Sequence, residues 1–162
     1  MAKKPKPQAG GDPNSRIICR NRKARHEYDI LEELECGVIL QGSEVKSIRN
    51  NQVSLEEAYA RLRNGELWLL GCDIAEYPQA TVMNHERKQP RKLLLKKKEL
   101  RQLEEATAVK GLTLIPLTMH FRRGFVKINL ATARGRKLHD KRQKLRRTED
   151  QRDIRSARMH RT

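Results

Sequence analysis

The stretch AYARLRNGELWLLGCDI, residues 58–74, constrains the fold of this chain more than any other. Two runs that alternate apolar and polar side chains flank Asn64-Gly65, a dipeptide that accepts the positive φ of a type I′ turn. The pattern predicts a β-hairpin. LTLIPLTMHF and FVKINLATA repeat the arrangement around Arg122-Arg123-Gly124, predicting a second hairpin. Pro116 interrupts its first strand and cannot donate to a ladder, so a free edge or a bulge is expected there.

The remaining segments add to this frame. Tyr28, Ile30, Leu34, Val38 and Leu40 fall mainly at even spacing, as in a half-buried strand or a strand pair broken near Gly37. Ser43 is placed to cap a short helix over SEVKSIRNNQ, with Val45 and Ile48 on one face and Asn50-Asn51 closing it. Residues 78–92 read as a polar loop. A helix fits about residues 96–109, where Leu100, Leu103 and Thr107 keep a 3–4 spacing and Gly111 stops the run. No internal repeat is present. Two hairpins, one further strand region and two short helices make a small antiparallel sheet. Such a sheet loses its exposed edges by closing on itself, so the expected architecture is mainly β, an oligonucleotide-binding-type antiparallel barrel.

Charge divides the chain. Its 162 residues hold 36 Lys and Arg against 20 Asp and Glu, a net +16. Residues 1–25 carry 8 cations against one Asp, residues 26–133 carry 16 against 15, and residues 134–162 carry 12 against 4. Even the near-neutral middle is polarised, with 4 basic and 12 acidic residues over 26–86 but 12 and 3 over 87–133. Like charges at this density repel, and a polyanionic partner compensates them. Nucleic acid does so with release of counterions. A solvated, solubilising face is the alternative for a single charge run, but not for two ends that hold nearly all the net charge. The expected division is a flexible basic arm over 1–20, an RNA-binding barrel over 21–133 and a basic tail over 134–162. In that tail Leu138, Leu145, Ile154 and Met159 are too sparse for a core stripe, which predicts disorder when free and a helix on a partner.

Other classes are disfavoured. No run approaches the roughly 18 apolar residues of a membrane span, and no amphipathic anchor carries Trp or Phe on an apolar side. The opening residues lack the apolar segment of a secretory signal, which points to the cytoplasm. Cys19, Cys36 and Cys72 are odd in number and far apart, so neither a disulfide framework nor a thiolate zinc site is expected. The five histidines contain no metal-ligand spacing, and the glycines lack phosphate-loop spacing. Glu32/Glu33 and Glu56/Glu57 are paired acids of the kind that can hold magnesium, but solvent-facing positions beside a strand or helix account for them better. The chain is expected to be no enzyme and to need no cofactor or metal.

Binding chemistry is better supplied. Asn21-Arg22-Lys23-Ala24-Arg25-His26 places cations beside an imidazole and an amide, suited to phosphates and an unstacked base, or equally to a charged arm entering a strand. Glu35 and Glu44 can accept from base amino groups or ribose hydroxyls, or pair with Lys46 or Arg49. His139, amid Arg134, Arg136, Lys137, Asp140, Lys141 and Arg142, can stack on a base while its neighbours hold phosphates. With 4% aromatic residues and no aromatic ladder, recognition of a folded RNA by shape and charge is favoured over reading of many stacked bases.

At these same positions the chain resembles the SsrA-binding protein family (small protein B), the partner of bacterial transfer-messenger RNA. NRKARHEYDILEELECGVILQGSEVKSIRNNQVSLEEAYARLRNGELWLL, PRKLLLKKKEL, KGLTLIPLTMHF and LATARGRKLHDKR carry the likeness in order, over about residues 21–142. The resemblance implies a barrel with peripheral helices and a basic tail. It implies binding to the tRNA-like domain of transfer-messenger RNA and delivery, with elongation factor Tu, to stalled ribosomes. There the tail enters the decoding centre of 16S rRNA and the vacant mRNA channel. Alanyl-tRNA synthetase is implied as an indirect partner through the RNA, and the protein as a monomer. Carried over, the RNA-facing positions are Asn21, Lys23, Arg25, His26 and Glu35, then Lys46 and Arg49, then Arg91, Lys92, Leu93 and Leu94. The ribosome-facing ones are Arg134, Arg136, Lys137, His139, Asp140, Lys141 and Arg142. The chain departs from the family at His85–Pro90, where Arg87 stands in place of an acid before proline. Two other readings are a ribosome-associated or assembly RNA-binding protein, and a metal-dependent ribonuclease using Glu32, Glu35 or Glu44.

Overall fold

A computed structural model describes residues 15–80, 82–136 and 138–159, with backbone alone at 138–141, 144, 158 and 159. In chain order the elements are β1 (Ile17–Arg20), α1 (Arg22–Glu27), β2 (Tyr28–Val38), α2 (Gly42–Arg49), β3 (Val53–Ser54), β4 (Tyr59–Arg63), β5 (Glu66–Leu70), β6 (Asp73–Ile74), β7 (Arg91–Leu94), α3 (Lys97–Ala108), β8 (Leu112–Arg122), β9 (Phe125–Gly135) and α4 (Leu138–Met159).

Antiparallel pairing runs β8-β4-β5-β7-β2-β9, and β9 returns to β8, so six strands close a barrel while β1 adds to β8. Closure leaves few open edges, as the small sheet required. The Asn64-Gly65 hairpin forms as expected, both residues at positive φ (52° and 73°), with Leu62 opposite Leu67. The second turn is Arg123-Gly124, again with both φ positive, at 51° and 80°. At Pro116 the register shifts between Pro116 and Thr118. Because β1 pairs beyond this point and β4 before it, the proline lies between two partners, as a bulge and not a free edge.

Alternation along the strands fills the barrel with Cys36, Leu67, Leu69, Leu93, Leu114, Met119, Ile128 and Leu130, closed from the sides by Ile48 and Leu103. A second cluster lies outside the barrel wall, where Ala24 of α1 packs on Ile115, Leu117, Ala131 and Ala133.

Four expectations change. Residues 17–20 form β1 and do not belong to a loose arm; Ile18 and Cys19 pack on the core and the strand bonds to β8. Residues 1–14 of that arm lie outside the described residues. The segment after it is the short helix α1, not an arm entering a strand. Ser43 does not cap α2: Gln41 precedes the helix, and its N–H donates to Glu44 Oε2 at 2.7 Å. The tail boundary at 134 cuts β9, which continues to Gly135. Beyond it, α4 is a helix in a segment that holds neither Gly nor Pro and is rich in helix-forming Arg, Lys, Gln and Leu. Its described side chains are exposed.

Candidate nucleic-acid interface

Side chains on one parity of each strand point away from the core. Glu35 pairs with Asn129, and Gly37 with both Lys127 and Leu94; across β9, His120 stands opposite Lys127. The outer surface of β7, β2, β9 and β8 therefore carries Leu94, Glu35, Lys127, Asn129, His120 and Arg122 together. A Cβ on Gly37 would stand 3.4 Å from Leu94 Cβ and 3.6 Å from Lys127 Nζ, ordinary contact distances, so these two side chains close over the glycine from either side. Leu94 remains about half exposed, at 49%.

Glu35 is the organiser. Its Oε1 accepts from Arg122 Nη1 at 2.7 Å and its Oε2 from His120 Nε2 at 3.1 Å. Partial burial pushes the carboxyl pKa up, but the hydrogen bonds and charges of Arg122 and His120 outweigh that and hold it below the ordinary carboxylate range. Beside it Glu33 accepts from Asn129 Nδ2 at 3.0 Å and from Arg25 Nη2 at 3.3 Å, which brings α1 against the same surface. Carboxylates pre-paired with Arg and His are acceptors for base amino or ribose 2′-hydroxyl groups, while the surrounding cations suit phosphates. His120, Arg122, Lys127 and Asn129 were missed in the sequence. Only strand alternation in the second hairpin marks them, and that does not reveal their convergence on Glu35.

Three expected contacts are interior. Asn21 is buried: its Oδ1 accepts from the Ala24 N–H and its Nδ2 donates to the carbonyls of Leu55 and Pro116, so its amide is fully used as the cap of α1. Leu93 is a core residue at 3% exposure. Arg91 is buried with Glu44, Nε donating to Oε1 at 2.6 Å. Its Nη1 donates to the carbonyls of Cys72 and Gln89, and its Nη2 to those of Glu86 and Arg87. Glu44 also accepts from Gln89 Nε2 and the Gln41 N–H. Together with Ser43 Oγ and His85 Nδ1 at 2.9 Å, and His85 Nε2 donating to the Ile74 carbonyl, this clamps α2 onto the 84–91 loop. The loop where Arg87 departs from the family pattern is held in place, Arg87 donating twice to Asp73.

The other expected cations are spread out. Lys23 pairs with Glu56, Lys92 with Glu66, and Lys46 lies 5.2 Å over the Tyr77 ring. Arg49 is exposed at the end of α2, where its carbonyl accepts from Arg16. No hydrogen bond or ion pair described joins Lys46 or Arg49 to the Glu35 group. His26 is exposed on α1. In the tail segment, Arg134 is exposed on β9 and Arg142 on α4. Arg136 instead binds Asp29 at 2.6 Å and donates to the carbonyls of Arg25 and His26, strapping the end of α1 to the barrel. Lys137 and the side chains of His139, Asp140 and Lys141 lie outside the described residues.

Glu44 is locked to Arg91 and Glu35 to Arg122, so the acids weighed for a ribonuclease do not converge, and among the described residues no group of three or more His, Cys, Asp or Glu could hold a metal. Cys19, Cys36 and Cys72 are free thiols, pushed by burial up to about 11, about 12 and about 12 respectively. Among the described residues, no helix is long and apolar enough to cross a membrane.

The model of the family described as SmpB protein matches residues 18–160. The SsrA-binding protein of Syntrophobacter fumaroxidans is 47% identical over 140 residues, covering 86% of this chain and 87% of the relative. That of Nostoc punctiforme is 50% identical, covering 88% and 92%, and that of Bartonella tribocorum 51% identical, covering 87% of each. A chain of the solved structure described as "tmRNA-SmpB: a journey to the center of the bacterial ribosome" aligns with a TM-score of 0.64 at 45% identity, covering 75% of this chain and 85% of that one.

Proposed function

This chain belongs to the SmpB protein family, and from that premise we propose that it binds the tRNA-like domain of transfer-messenger RNA and delivers it to stalled ribosomes for trans-translation. The observation that carries the reading is the outward group around Glu35, set in a barrel whose net charge gathers at the two ends of the chain. Phosphate contacts from Arg25, Lys127 and their neighbours fix the orientation of the RNA, and Glu35 with Asn129 discriminates its base edges or ribose hydroxyls. Of the RNA-facing positions implied by the family, Lys23, Arg25, His26, Glu35, Lys46, Arg49, Lys92 and Leu94 keep this role. Asn21, Arg91 and Leu93 support it from inside.

The tail acts on the ribosome. Arg134, Lys137, His139, Asp140, Lys141 and Arg142 meet the decoding centre of 16S rRNA, and the rest of the basic helix occupies the mRNA channel. A strand of mRNA and a cationic helix compete for the same space and charge, so binding reports a vacant channel. Elongation factor Tu and alanyl-tRNA synthetase are partners through the RNA. The protein works in the cytoplasm as a monomer that binds without catalysing. The relatives' name and the neighbour's ribosomal setting favour this over a ribosome-assembly role.

Binding of a transcribed tRNA-like domain, compared with 16S fragments at one salt concentration, tests the reading. The tRNA-like domain is expected to bind tighter, with Glu35→Ala and Lys127→Ala each weakening it about tenfold, the effect of one lost charge-assisted contact. Equal affinity for all RNAs, unmoved by either substitution, would refute it.

A further inference from the structure

We propose that the outer face of the β4–β5 hairpin is a second RNA contact, where one unstacked base lies on Trp68 and its flanking phosphates meet Arg61 and Arg63. The inference rests on the reading that this chain binds RNA.

Register puts the parts on one face: Arg61 lies opposite Trp68, Arg63 opposite Glu66, and Trp68 opposite Lys92. Arg61, Arg63, Glu66 and Trp68 line, with Pro90, a cavity of about 300 Å³. That is the lower end of small-ligand clefts, room for a single ring system and not for a folded segment. Trp68 is half-buried, so the ring is fixed yet reachable. Among the described residues neither Arg61 nor Arg63 makes an ion pair, and Lys92 has the single carboxylate of Glu66 at 2.7 Å. An aromatic face ringed by cations suits a group that is flat, polarisable and anionic at its edge, and a nucleotide has all three properties.

Position favours a nucleotide within an RNA strand over a free one. Lys92 and Leu94 share the outward face of β7, and Leu94 sits against Gly37 beside Lys127. An unbroken surface therefore leads from the Glu35 group across β7 to Trp68.

Trp68 is the sole tryptophan, so its fluorescence reports from this position alone. The full chain is titrated at fixed salt with a tRNA-like-domain transcript and, separately, with a 16S decoding-region transcript, while gel shifts record binding. Saturable quenching is expected with one of them, which identifies the source of the base. Trp68→Ala should weaken that RNA about tenfold while Trp68→Phe keeps most of the affinity. The double variant Arg61→Gln/Arg63→Gln should lower the slope of log K against log salt by about two. RNA that binds by gel shift without changing the fluorescence overturns the inference, as does parental affinity in both the Trp68→Ala and the double variant. If circular dichroism finds Trp68→Ala unfolded, the quenching and the salt slope decide. Failure here with Glu35→Ala still defective leaves the main function standing; no binding of either RNA by the parent overturns both.

Discussion

Arg91 shows how a cation can be indispensable without touching a ligand. All of its nitrogens donate inside the protein, four of the bonds to carbonyls and one to Glu44. Removing one partner of a buried pair costs about 3–5 kcal/mol, because the other charge is left uncompensated. Arg91→Ala should lower the denaturant midpoint accordingly, and RNA binding should fail only in proportion to the unfolded fraction. The sequence reads Arg91 as a surface contact because Glu44 lies 47 positions away. The nearer Lys46 and Arg49 look like the natural partners of that acid. Glu35 titrates in the opposite sense to a buried, unpaired acid. Its folded pKa lies below the usual 4.5, so the stability it contributes is complete above that value and is lost as pH falls through the folded one. A carboxyl-carbon NMR titration should give a Glu35 midpoint below 4.5, and Arg122→Gln should raise it.

Among the elements, legibility followed the range of the interactions. Both hairpins are written in adjacent residues, and their turns form where Asn64-Gly65 and Arg123-Gly124 accept positive φ. α3 follows its leucine spacing to within a residue or so. α1 was hidden because six residues carry no apolar period, and its cap bonds across 34 and 95 positions to the carbonyls of Leu55 and Pro116. β3 and β6 are two-residue strands that only their pairing defines. Asn21→Ala removes a cap and the two amide bonds to the buried carbonyls of Leu55 and Pro116, so a loss of about 2 kcal/mol is expected in thermal or chemical unfolding. Arg25 and His26 ride on α1, and RNA affinity should fall even where the variant is folded. Undiminished affinity in the folded protein would show that α1 does not orient these side chains.

At the scale of the whole molecule, the charge asymmetry was legible from the chain alone, and so was the barrel. The end of the barrel was not. Composition places it at 133, whereas β9 runs to Gly135 and Arg136 straps α1 to the barrel. A deletion starting at 134 would therefore damage the body it is meant to spare, by cutting β9 and the Arg136 strap. A chain lacking 138–162 should unfold at the same denaturant concentration as the parent.

That deletion tests the division of labour most directly. Its affinity for the tRNA-like domain and its capacity for trans-translation on stalled ribosomes are measured side by side with the full chain. RNA affinity is expected within about threefold of the parent, after allowance for lost tail charge, with trans-translation abolished. Intact trans-translation without the tail, or loss of tRNA-like-domain binding along with it, would contradict that division.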